Sequence, residues 1–400
     1  MKDSLYKNSL YLMISTGIMA VLGFFFWMIS ARLFNAEQIG LATTIISVMS
    51  LITGFSVLGF NIALIRYLPG SKMKNHKINT CFTIVILSSI IASSIFLIGL
   101  GKFSPRLVFI KESLLLSFSF IFFMVVAGLN SMIESVFVAF RSSKFILLKN
   151  SIFSLLKIGL VFFFVGLGAY GIFVSWMVAL MIGVGVVFII LMFKFDYKPK
   201  FVFYDRIIKK IGKFSFGNYV AGFIGGLPLM VLPLMITNLI NPEITAYYYM
   251  AMMIAGLLFV IPSATTQSLF AEGSHNEKKM RENVRKAIKI ISLILIPGIL
   301  ITVFFGNWIL LMFGNEYSSE GFRFLQIVAL SSVFIGVNGV FGAWFRVKKR
   351  IKEMIIVGVI GVVLILGLSY LWIDKGLIGI AFAWMIGKAG ISLMFWVMKN

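Results

Sequence analysis

"ARLFNAEQIG", Ala31 to Gly40, interrupts two long apolar runs with an arginine, an asparagine and a glutamate in ten residues. A second stretch, "TNLINPEITA" from Thr237 to Ala246, holds the same place between two later runs. Leu33, Asn35 and Glu37 match Leu239, Asn241 and Glu243 at an offset of 206 residues. The stretch reads either as a small polar site or as the turn of a hairpin between two membrane spans. Acidic residues favour the first turn of a helix, where they meet the positive end of its dipole. Glu37 and Glu243 therefore mark helix starts, and Asn35 to Gln38 reads as a turn. Arg32 is what the stretch leaves as a site candidate, since the same position in the second copy is Asn238.

The rest of the chain fits that hairpin. Of 400 residues 60% are hydrophobic and 12% charged, against about 25% charged in soluble domains. Apolar runs long enough to cross a bilayer recur from end to end. Twelve spans are expected, roughly at 8–33, 39–65, 79–100, 113–140, 149–168, 170–193, 213–239, 244–270, 287–312, 321–345, 354–373 and 376–398. The fold class is an all-α polytopic membrane protein. A transmembrane barrel would need alternating strands of about ten residues, and the sequence has none. One cysteine, Cys81, rules out an internal disulfide framework. The two histidines, His76 and His275, lie in polar loops, and no Cys/His cluster offers a metal site. The first apolar run is too long for a signal-peptide core and lacks a small-x-small cleavage site, so it reads as a retained span.

The net charge of +22 raises nucleic acid as a partner. Its distribution argues for topology instead. The N-terminus, the segments near 66–78, 141–149, 194–213, 278–289 and 346–352, and Lys399 hold 28 of the 36 lysines and arginines. The opposite side holds Arg32, Lys102, Arg106, Lys111, Arg323 and Lys375. Basic residues collect on cytoplasmic loops, so both termini are expected in the cytoplasm of a multi-pass cell-membrane protein. The remaining charge suits anionic headgroups. A nucleic-acid surface would also need aromatic platforms or a binding fold.

The longest basic segment, 194–213, divides two related halves: 1–198 and 199–400. Besides the hairpin, Pro69-Gly70-Ser71 falls near Glu272-Gly273-Ser274 at 203, Ala139-Phe140-Arg141 matches Trp344-Phe345-Arg346 at 205, and "GIFVSWM" (171–177) matches "GIAFAWM" (379–385) at 208. Six spans per copy make the repeat parallel, with its axis along the membrane normal.

Ionisable residues inside spans cost about 2.5–3.5 kcal/mol at the bilayer centre on insertion scales, so they head the list of candidates. Lys388 lies halfway along the last span with no carboxylate within a turn. It reads either as a cationic contact for a phosphate-bearing substrate or as a lysine satisfied by carbonyls or snorkelling. Glu134 and Lys157 lie on neighbouring antiparallel spans and read as an ion pair, or as a gate, with Glu134 the default site for proton or sodium coupling. Arg32 and Arg323, near the outer ends of spans, read as interfacial anchors or substrate contacts. Asn61, Asn130, Asn218, Gln267 and Asn338 read as interhelical hydrogen-bonding groups or as cavity lining. Enzymatic signatures are missing: no GxxxxGK[ST], no HExxH, and no carboxylate pair for glycan chemistry. A membrane-embedded glycan ligase or polymerase would need a sizeable outer loop with catalytic residues, and the longest outer segment, near 101–112, has Glu112 as its one acid.

The stretch "KNSLYLMISTGIMAVLGFFFWMISARLFNAEQIGLATTIISVMSLI" (7–52), with "LGFNIALIRYLPGS" (58–71), resembles the polysaccharide-biosynthesis flippases of Wzx type. These belong to the multidrug/oligosaccharidyl-lipid/polysaccharide exporter superfamily. The resemblance implies a MATE-like fold of two six-helix bundles around a central, commonly cationic cavity. It implies transport by alternating access of an oligosaccharide on a polyprenyl (pyro)phosphate from the inner to the outer leaflet. It gives Lys388, and with it Arg32, Lys157 and Arg323, an anionic headgroup to meet. Partners would be the lipid-linked oligosaccharide, membrane lipids and polysaccharide-assembly proteins, with no cofactor beyond a coupling ion. Multidrug/cation antiporters of the superfamily and lipid II flippases compete. The former are expected to carry an acid in an N-terminal cavity, often in span one, which has none here; the latter usually have fourteen spans.

Overall fold

The computed structural model describes the backbone of residues 2–275 and 279–399, and their side chains except at 2–5, 205–218, 221 and 275. Asn218 is therefore outside the described side chains. The first helices are α1 (Lys2–Leu33), α2 (Ala36–Val57), α3 (Phe60–Tyr67), α4 (Lys74–Ile98), the one-turn α5 (Leu100–Phe103), α6 (Leu114–Ala139), α7 (Lys144–Phe163) and α8 (Gly168–Lys194). Then come α9 (Asp205–Leu239), α10 (Pro242–His275), α11 (Met280–Leu311), α12 (Asn315–Val347), α13 (Ile351–Leu371) and α14 (Gly376–Lys399). Twelve of the described helical stretches are long and apolar enough to cross a membrane. The chain divides into two compact units, Met1–Val220 and Ala221–Asn400. The division falls inside α9, beyond the linker at 194–213.

The hairpin turn is built as its residues dictate. The Asn35 side chain accepts from the Gln38 backbone N–H at 2.8 Å, and the Gln38 side chain accepts from the Asn35 N–H at 3.3 Å, a reciprocal cap on α2. In the second copy the Asn241 side chain accepts from the Ile244 N–H, also at 2.8 Å. Glu37 and Glu243 sit in the first turns of α2 and α10.

Later in each half the repeat settles at 208 residues. The chain leaves α6 through Arg141 at φ 53° and leaves α12 through Lys349 at φ 57°. The Ser142 N–H donates to the Phe137 carbonyl and the Arg350 N–H to the Phe345 carbonyl, both at 2.9 Å. Arg141 is thus the counterpart of Lys349, not of Arg346, which corrects the match at 205. The match at 203 also fails, because Gly70 lies in a turn at φ 69° while Gly273 lies within α10. Before α8 and α14 stand short 3₁₀ turns, each followed by a glycine with positive φ, Gly168 at 56° and Gly376 at 59°. Three residues on, a Cβ at Gly171 would collide with the Phe164 carbonyl, and one at Gly379 with the Trp372 carbonyl. Only glycine lets the chain close on itself there.

The expected second span, 39–65, is two helices. Leu58 (φ 50°) and Gly59 (φ 79°) both adopt the left-handed region and end α2 before α3 begins. The corresponding α10 runs unbroken for 34 residues, with Pro262 inside it. In the first unit α7 packs on α1 and α8, and α6 on α3, α4 and α8; in the second, α12 packs on α10, α11 and α14. The start of the basic segment docks on α4. Tyr197 is buried, and Asn79 and Asn75 donate to the Lys198 and Asp196 carbonyls at 2.9 and 3.0 Å. Burial raises the Tyr197 hydroxyl above the usual tyrosine range. Beyond it, exposed Lys198, Lys200, Phe201 and Phe203 form the basic-aromatic mix of an interfacial stretch.

Candidate functional site

Lys388 is the thirteenth of 24 residues in α14, about 16–18 Å from either helix end. Its backbone is fixed by an interhelical network. Asn338 of α12 donates through Nδ2 to the Lys388 carbonyl at 2.9 Å, and Ser392 donates to Asn338 Oδ1 at 2.7 Å. This is the interhelical role expected for Asn338. The Lys388 ammonium sits 4.5 Å from the centroid of Trp384, one turn earlier. Trp384 is 2% exposed, stacks against Phe259 at 6.3 Å, and its buried Nε1–H has no acceptor among the described residues. Among the described residues no carboxylate pairs with Lys388, which is only partly buried.

Lys157 is held differently. Its ammonium lies 4.2 Å from the Trp176 centroid, 4.6 Å from Phe153 and 5.1 Å from Phe26. These rings come from α8, α7 and α1, and Lys157 is 2% exposed. Each desolvated cation–π contact is worth up to about 2 kcal/mol, so three rings can offset the insertion cost of one lysine. Trp176 and Trp384 are counterparts at the 208 offset, and both carry a lysine over the ring. The lysines come from different places: α7 in the first unit, α14 itself in the second.

Glu134 does not pair with Lys157. Its partner is Lys149, which is 1% exposed and also donates to Asn130 Oδ1. The reason is helix register. α6 ends at Ala139 and α7 starts at Lys144, so Glu134 and Lys149 each lie five residues, about 7.5 Å, from that turn. Lys157 is about 12 Å farther in. Asn130 is the counterpart of Asn338 at 208, but it serves a side chain rather than a backbone.

Arg32 and Arg323 are exposed, Arg32 in the last turn of α1 and Arg323 nine residues into α12. The rings over Lys157 in the first unit and over Lys388 in the second come from other positions. Sequence reading passed over Trp176, Trp384 and Lys149. The tryptophans stood in the quoted repeat, where their shared place was the available signal.

No curated protein matches the sequence. A family model described as polysaccharide biosynthesis protein matches residues 29–321. The chain belongs to the polysaccharide biosynthesis protein family. This family member has the fold of solved transporters. An inward-closed structure of the lipid II flippase MurJ aligns with TM-score 0.78 at 15% identity, covering 98% of this chain and 87% of that one. An inward-facing multidrug resistance MATE family transporter of the MOP superfamily aligns with TM-score 0.71 at 16% identity, covering 95% and 93%. A MOP superfamily transporter from Pyrococcus furiosus with a binding pocket of reverse polarity aligns with TM-score 0.66 at 16% identity, covering 99% and 94%. At these identities the likeness is one of fold. The polysaccharide biosynthesis protein is thus a multi-pass helical membrane protein with the fold of MOP superfamily transporters.

Proposed function

We propose that the protein is a flippase rather than an enzyme, and that it carries a polyprenyl-(pyro)phosphate-linked oligosaccharide across the membrane by alternating access. Family membership supports the substrate class. The observation that carries the reading is Lys388, a mid-span ammonium 4.5 Å from the Trp384 ring centroid and, among the described residues, with no carboxylate partner. An ammonium is a good point-charge partner for phosphate, and the charge would be realised on a headgroup that is itself costly to move through the bilayer. Lys157, enclosed by three rings, serves packing of the first unit. Glu134, held by Lys149, serves as a structural partner rather than the coupling site. Arg32 and Arg323 act as anchors at the span ends.

A cation antiporter of the same superfamily is the competing reading. The apolar part of α1, Tyr6–Leu33, carries no acidic residue to hold a cation. Both termini lie in the cytoplasm, where polysaccharide-assembly proteins would meet the flippase.

The test is complementation of a strain lacking its own lipid-linked glycan flippase. The wild-type gene restores surface glycan. Lys388→Ala, inserted in the membrane at wild-type level, fails to restore it. Full restoration by Lys388→Ala would remove the site from the account. Efflux of cationic dyes with no effect on surface glycan would remove the function.

A further inference from the structure

A cavity of about 360 Å³ opens between α11 and α12. Ile288, Leu295 and Ile296 of α11 and Val337, Phe341 and Trp344 of α12 form its apolar walls. Gly336 is its floor; a Cβ there would already stand 3.3 Å from Ile291. At one end lies Lys399, whose ammonium is 5.8 Å from the centroids of both Phe341 and Trp344. Lys399 is about 16 Å along α14 from Lys388, so the two cations sit at different depths.

We propose that this groove binds an anionic phospholipid of the surrounding membrane, with an acyl chain along the groove and the phosphate at Lys399. Two features choose the occupant. The first is length. The lining of α11 runs from Val284 to Ile296, about 18 Å of helix. That is close to one leaflet of a hydrocarbon core about 30 Å thick, the depth of an ordinary acyl chain rather than of a long polyprenyl tail. The second is charge. Exposed Arg281, Arg285 and Lys289 lie on α11 beside the lining residues Val284 and Ile288, while Glu282 is occupied by Lys286 at 2.6 Å. Arg281 and Arg285 each stand three residues before a groove residue, Val284 and Ile288, and so flank the same helix face. Basic residues near a membrane surface attract anionic lipid at about 1 kcal/mol each, about a five-fold change in affinity.

Native mass spectrometry of the purified full chain tests this, with dioleoylphosphatidylglycerol, dioleoylphosphatidylcholine and a polyprenyl monophosphate as separate probes. Wild type is expected to retain one phosphatidylglycerol at least five-fold more tightly than phosphatidylcholine. Lys399→Ala, on an exposed side chain, is expected to lose most of that preference. Ser292→Phe, which fills the groove, is expected to lower retention of both phospholipids. Equal retention of the two by wild type, or retention unchanged by Ser292→Phe, would overturn the site. Displacement of phosphatidylglycerol by equimolar polyprenyl phosphate would hand the groove to the carrier tail and overturn the assignment. No transport is needed, so the result stands apart from the complementation assay.

Discussion

A lysine inside a membrane span is informative only once its neighbours are known, and three lysines here have three different settings. Lys149 has a carboxylate and an amide, Lys157 has three rings, and Lys388 has, among the described residues, one ring and no carboxylate. Removing one member of a buried pair leaves the other charge uncompensated, at roughly 3–5 kcal/mol, whereas removing both is often neutral. Lys149→Met is expected toward the low end of that range, because Glu134 is 36% exposed. The double variant Glu134→Gln/Lys149→Met is expected to recover thermal stability and to keep transport. A stable double variant without transport would return Glu134 to a coupling role. The pairing was not legible in the sequence because it depends on where α7 begins. The expectation counted inward from Lys149; the helix begins five residues earlier. The ring cage was hidden for a different reason: its members come from three helices, and no periodicity within one helix predicts such a meeting.

At the scale of the element, the hairpin turn was fully legible. Capping chemistry is local, and Asn35 and Asn241 carry their instructions within four residues. Gly171 and Gly379, in the first turns of α8 and α14, act as locally, since each packs on a carbonyl seven residues upstream. Gly171→Ala and Gly379→Ala are each expected to destabilise the protein by about 1–3 kcal/mol through overpacking, read as a lower melting temperature in detergent. Gly185→Ala, where a Cβ meets nothing within 4 Å, is the control and should leave it unchanged. Equal effects at all three positions would dismiss the closure argument. The break at Leu58–Gly59 was not legible, because an apolar run through "VLGFNIAL" reads as a continuous span. A leucine at φ 50° costs about 1–2 kcal/mol, so its own preference gives no sign of the break.

For the whole molecule, hydropathy and length set the twelve spans, since a bilayer imposes the same length on every crossing. The repeat was visible at its ends, in the hairpin at 206 and in the tryptophan motif at 208, and blurred between them, where turn geometry persists after side chains diverge. Topology follows from charge rather than from fold. With Cys81→Ser as background, single cysteines at residues 7 and 399 are expected to react with an impermeant maleimide only from the cytoplasmic side. Labelling of either from outside would reverse the orientation and place Lys399 in the other leaflet. The most direct measurement is flipping in proteoliposomes of a fluorescent polyprenyl-diphosphate oligosaccharide, comparing wild type, Lys157→Met and Lys388→Ala. Wild type and Lys157→Met should move the lipid at comparable rates, and Lys388→Ala at least ten-fold more slowly. Undiminished flipping by Lys388→Ala, or none by reconstituted wild type, would contradict the account.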